Sequence, residues 1–78
     1  MNITTFIKAL DLFKKAGGEV TVEERRNLIF FKKTYFTFRF GENEPLVIEG
    51  DVLVESARIR ALTVEWMAAV VCNRARVA

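Results

Sequence analysis

Tyr35-Phe36-Thr37-Phe38-Arg39-Phe40 decides the fold class of this chain. Phe36, Phe38 and Phe40 fall on one side of an extended backbone and Tyr35, Thr37 and Arg39 on the other, the period of two that belongs to a strand. Upstream, Val20 and Val22 alternate with Glu19, Thr21 and Glu23, which predicts a half-buried strand. Glu24 to Asn27 is a polar break suited to a turn, and Leu28-Ile29-Phe30-Phe31 resumes the apolar run. Lys32-Lys33-Thr34 reads either as a tight turn or as a bulge inside one long strand. Downstream, Gly41-Glu42-Asn43-Glu44-Pro45 is a loop and Leu46-Val47-Ile48 a last short strand.

Outside this block the apolar period lengthens to that of a helix. Ile3, Phe6, Ile7, Leu10 and Phe13 recur at helical spacing, with Asn2, Thr4 or Thr5 available as caps. Lys14 and Lys15 occupy the last turn, where cations suit the helix dipole. Gly17-Gly18 ends the helix, because glycine enters the left-handed region without a Cβ penalty. The last third predicts one long helix entered through Gly50-Asp51, capped by Asp51 or Ser56. It carries two apolar stripes. One is Ile59, Leu62, Trp66, Ala69 and Val70; the other is Ala57, Ala61, Val64, Ala68, Val71 and Ala75, every member small. Small residues in that rhythm let a second helix approach closely, so this helix is either a central core element or half of an interface.

The predicted architecture is one α+β domain over residues 1–78. It is a two-layer sandwich of N-terminal helix, three- or four-stranded antiparallel meander and long C-terminal helix, both helices covering one sheet face. Phe36, Phe38 and Phe40 are expected to meet Ile59, Leu62 and Trp66, and Phe6, Leu10 and Phe13 to meet the small stripe. With 51% apolar residues and seven Phe, this short chain draws its core from aromatics, which bury much area each.

Composition excludes more chemistry than it suggests. The chain has no histidine, hence neither the commonest general base nor the commonest zinc ligand. Cys72 is the single cysteine, so no internal disulfide forms, and its place beside the small stripe reads as a buried small hydrophobe. Ser56, the single serine, has a capping role at hand. Carboxylates gather at Glu19, Glu23 and Glu24 and at Glu42, Glu44, Glu49 and Asp51, a pattern that belongs to solvated strand faces more than to acid–base or metal chemistry. No catalysis, metal or cofactor is expected. The longest apolar run, Trp66 to Cys72, is too short to span a bilayer, and the start of the chain lacks a signal-peptide core. A cytoplasmic protein without membrane contact is expected.

The net charge is only +2, but it is unevenly spread. Residues 1–41 carry eight basic and four acidic groups, and residues 42–78 four and six. The candidate contact surface is therefore the basic, aromatic meander around Arg25, Arg26, Lys32, Lys33, Tyr35 and Arg39. Cations beside an aromatic ring suit an acidic protein surface or a nucleic acid. Arg58, Arg60, Arg74 and Arg76 are placed on the polar sides of the long helix.

Helix–meander–helix order is similar in layout to the double-stranded RNA-binding domain. That family's Gly-Pro-x-His loop and lysine-rich second helix have no counterpart here, since Pro45 lies elsewhere and the last helix opens with Asp51 and Glu55; its function is not carried over. The Met1-Asn2-Ile3 start, the helix around Ile7-Lys8 and the short meander resemble small phage-encoded anti-CRISPR and related anti-defence proteins. That resemblance implies a non-enzymatic phage or mobile-element accessory protein that inhibits or modulates a host nucleic-acid-handling complex by occupying its surface. The alternative is direct RNA or DNA binding through the same meander. For assembly, packing of the small stripe against the first helix is favoured over a homodimer, and the long helix is the contact if a dimer forms.

Overall fold

The computed structural model describes residues 1–28 and 31–77, without the side chains of residues 27, 28, 31 and 74–77. Helix α1 (Ile3–Lys15) is followed by strands β1 (Glu19–Leu28), β2 (Phe31–Arg39) and β3 (Leu46–Glu49), then by helices α2 (Gly50–Glu55) and α3 (Ala57–Val77). The strands form one antiparallel sheet in the order β1-β2-β3. This is the α+β two-layer arrangement, with three strands rather than four.

Both ends of α1 follow from local chemistry. The Asn2 Oδ1 accepts the Thr5 N–H at 2.8 Å, satisfying one donor of the first turn. At the other end Gly17 takes φ +107°, while Gly18 N–H donates to Phe13 O and Gly17 N–H to Lys14 O. That is the Schellman pattern. Gly18 has a second constraint: a Cβ there would lie 2.4 Å from the Phe13 ring. The ring is thus laid against bare backbone, where it reaches Phe40 and Trp66 at centroid distances of 5.8 and 6.1 Å.

One core joins the layers. Phe6 and Phe13 from α1, Phe38 and Phe40 from β2 and the residue that follows it, Leu53 from α2, and Met67 and Val70 from α3 are buried together. Val20, Phe36, Leu46, Ile48, Ile59 and Trp66 pack around them. The helix-side face of the sheet is therefore the one carrying Phe36, Phe38 and Phe40, as their alternation predicts.

Several expectations change in detail. The C-terminal helix is not continuous from Asp51, because Ser56 adopts an extended backbone between α2 and α3. Its Oγ accepts the Ile59 N–H at 3.2 Å, so Ser56 is the cap of α3, and Asp51 lies inside the first turn of α2. On α3 the buried line is Arg60, Thr63, Met67 and Val70, of which only Val70 belongs to an expected stripe. Leu62 and Ala69 are exposed, whereas Ala61, Val64 and Val71 of the small stripe are half-buried and Ala57 and Ala68 exposed; the side chain of residue 75 lies outside the description. Cys72 is exposed rather than buried.

The last change sets up the candidate surface. Glu24 to Arg26 is not a turn but the middle of β1, paired as Glu24↔Thr34, Arg25↔Lys33 and Arg26↔Lys32. Lys32-Lys33-Thr34 is accordingly regular β2, and the register irregularity lies opposite, between Arg26 and Leu28. Residues 29 and 30, part of the expected Leu28–Phe31 strand, lie outside the described residues. Since β3 pairs only with Tyr35–Phe38, the ladder from Thr34 outward has two strands. Val22, on the helix side of β1 opposite Phe36, is 63% exposed, so the helix layer does not cover β1 at this point. The molecule is correspondingly long, 47 × 27 × 17 Å with a radius of gyration of 13.4 Å, against about 11.5 Å for a compact chain of this length. The outer β1–β2 hairpin is an arm.

Candidate functional site

Pairing assigns each candidate residue to a face. The face turned away from the helices carries Glu19, Thr21, Glu23 and Arg25 on β1, then Lys33, Tyr35, Thr37 and Arg39 on β2, then Val47 and Glu49 on β3. Arg26 and Lys32 alternate to the other side of the arm. The sequence-predicted set is thus divided: Arg25, Lys33, Tyr35 and Arg39 share a face, while Arg26 and Lys32 share the opposite one.

The shared face is charge-balanced. Arg25 Nη2 donates to Glu23 Oε2 at 3.1 Å, and its guanidinium carbon lies 4.9 Å from the Tyr35 ring centroid. Cation–π attraction and the carboxylate together hold that side chain flat on the sheet. Lys33 Nζ is 3.8 Å from Glu49 Oε1, and Arg39 stands directly opposite Glu19 in the ladder. Each cation on this face has a carboxylate beside it or across from it. Such exposed pairs add little stability, but they cancel the local field. A uniformly positive platform is not what this face presents.

Arg26 and Lys32 differ. They are exposed and directly opposite one another, and among the described residues no carboxylate lies within ion-pair distance of either. With Arg25↔Lys33 alongside, two successive cross-strand pairs join like charges, an arrangement that weakens a ladder. Residues 25–33 hold four cations and no acid, and the five residues between Arg26 and Lys32 are Asn27 and the apolar Leu28, Ile29, Phe30 and Phe31. Arg26 and Lys32 thus place two unneutralised cations side by side on one face of the outer hairpin.

Comparison with family models, curated proteins and solved structures finds no match to this chain.

The remaining polar residues do not converge. Glu23 and Glu24 point to opposite faces of the arm, Glu42 and Glu44 lie in the loop after β2, and Asp51 opens α2. Among the described residues no group of three or more His, Cys, Asp or Glu is placed to hold a metal ion, and no helix is long and apolar enough to cross a membrane. Arg60, expected on a polar side of the long helix, is instead buried: its Nε donates to Met1 O and its Nη1 to Leu53 O, each at 2.9 Å, and Nη1 also donates to Val54 O. It is a structural clamp, while the side chains of 74 and 76 lie outside the description. The sequence reading had the carboxylates Glu19, Glu23 and Glu49 on solvated strand faces but lacked their assignment to particular cations. Their period of two relative to Arg25, Lys33 and Arg39 was present in the sequence, but it becomes a shared face only once the hairpin register is known.

Proposed function

We propose that this protein is a non-enzymatic binding module that works by occupying an acidic surface of a partner protein, with the end of the β1–β2 arm as the contact. The observation that carries the reading is the pairing of Arg25 with Lys33 and of Arg26 with Lys32 on a two-stranded arm beyond the helix layer. Arg26 and Lys32, held opposite one another without a carboxylate, raise the free energy of the isolated arm and lower it again when carboxylates approach. An extended contact by a protein partner is favoured over a nucleic acid because the broad sheet face around Tyr35 is neutral overall and offers no second row of phosphate contacts. The layout resemblance to anti-defence proteins supports the finer reading, that the partner belongs to a nucleic-acid-handling complex.

The test is quantitative capture from lysate of the source cells at physiological salt, using the full chain and an Arg26→Glu/Lys32→Glu variant. The expected result is a stoichiometric protein partner that the variant fails to retain. Gel-shift titrations with single- and double-stranded DNA and RNA run alongside. Tight binding whose affinity falls steeply with salt transfers the function to direct nucleic-acid recognition, and the absence of any stoichiometric partner ends the protein-binding reading.

A further inference from the structure

The two edges of the sheet are built differently. Edge strand β1 is charged along its length, with Glu19, Glu23, Glu24, Arg25 and Arg26, a common device against unwanted strand pairing. Edge strand β3, Leu46-Val47-Ile48-Glu49, has one charge, and that carboxylate already faces Lys33. Beside β3 runs an apolar groove of about 390 Å³ floored by the strand and walled by Val52 of α2 and Ile59, Leu62 and Trp66 of α3. Leu62 remains 48% exposed and Val47 46% exposed. The helix layer thus flanks a place where a fourth strand would lie, and among the described residues none fills it.

We infer that this place is filled by β3 of a second copy, joined antiparallel across a two-fold axis to give the sheet β1-β2-β3-β3′-β2′-β1′. A free strand edge calls for a partner that offers backbone N–H and C=O groups, which selects an extended segment over a helix. Antiparallel pairing of a strand with its own copy is inherently two-fold, so one patch serves both sides of the contact. The patch bears no unpaired charge to repel its copy or to select a charged foreign strand. Pairing about a two-fold normal to the sheet allows two central registers, Val47 opposite Val47′ or Val47 opposite Glu49′. In either, Leu62 and Val52 of each copy approach the helix-side residues of the partner's strand. The dimer then exposes only β1 edges, which are the charged ones. This contact is independent of the arm and leaves both arms free.

Light scattering and sedimentation equilibrium on the full chain, from the micromolar range to hundreds of micromolar, test it. A concentration-dependent dimer is expected. Val47→Glu places carboxylates opposite one another in one register and beside Glu49′ in the other, and should weaken the dimer at least about tenfold. Leu62→Glu should do the same from the helix side. Both positions are exposed, and unchanged circular dichroism confirms folded monomers. Ala68→Glu, on the separate groove between α1 and α3, should leave the dimer intact. Amide exchange within Leu46–Glu49 should slow as protein concentration rises. A wild-type monomer at hundreds of micromolar overturns the inference, as does a dimer that Ala68→Glu breaks while Val47→Glu and Leu62→Glu spare it.

Discussion

Arg60 and Thr63 explain why the buried line of α3 escapes a reading of hydrophobic spacing. Arg60, Thr63, Met67 and Val70 follow the three-four-three rhythm of a core face, yet half of them are polar. Thr63 is hidden because its hydroxyl donates to Ile59 O at 2.7 Å within its own helix, and Arg60 because its guanidinium ties Met1 to the C-terminal carbonyls of α2. Burial of a charged fork is tolerable when its donors meet carbonyls and the adjoining helix end carries partial negative charge. Arg60→Ala should therefore cost about 3 kcal/mol in urea unfolding, since it strands buried carbonyls and opens a cavity. A loss below about 1 kcal/mol would mean that water replaces the guanidinium freely. Asn2 and Ser56 were each legible only as one of several candidate caps, because capping needs a side-chain oxygen at an offset that depends on where the helix starts. Gly17 and Gly18 were legible as a stop, but the reason for the second glycine was not: the Phe13 ring occupies the space of its Cβ. Gly18→Ala should lower stability by about 2 kcal/mol or more, measured by thermal unfolding, through displacement of that ring from Phe40 and Trp66.

At the scale of elements, helix α1 and the strand of alternating Phe were read correctly because each has a face against the core. The outer part of the hairpin has none. Glu24 to Arg26 is polar on both faces, so no periodicity marks it as a strand, and local composition favours a turn. Its conformation is imposed by pairing with Lys32–Thr34, a contact that a window of sequence does not contain. The same logic separates α2 from α3, where one extended residue, Ser56, interrupts an otherwise helical apolar pattern. If like-charge pairing strains the arm, exchanging one cation should relieve it. Lys32→Glu, opposite Arg26, should raise stability by about 0.5–1 kcal/mol in denaturant unfolding. The same substitution should weaken capture of the acidic partner. A variant that is no more stable but still loses the partner would place the charges in binding alone, without a folding cost.

The whole molecule divides into a packed base and an unpacked arm, and the two should be separable. Every buried apolar residue of the core lies in α1, the inner half of β2 and its continuation to Phe40, α2 or α3. The arm beyond Glu24 and Thr34 adds none among the described residues, and its hydrogen bonds are solvent-flanked, so its contribution to global stability is small. Replacing residues 25–33 by Asn-Gly would close the ladder at the Glu24↔Thr34 pair with a two-residue turn suited to hairpin twist. The shortened chain should unfold cooperatively within about 1 kcal/mol of the parent, keep the β3-edge dimer, and no longer retain the partner. Unfolding curves, light scattering and capture read these three outcomes separately. Loss of cooperative unfolding would show that the arm packs on the base and is part of the fold, and the conserved binding of an armless chain would move the contact to the neutral face around Tyr35. Because no other segment of the chain concentrates positive charge in this way, the arm's removal is the sharpest single division between what folds this protein and what it is proposed to recognise.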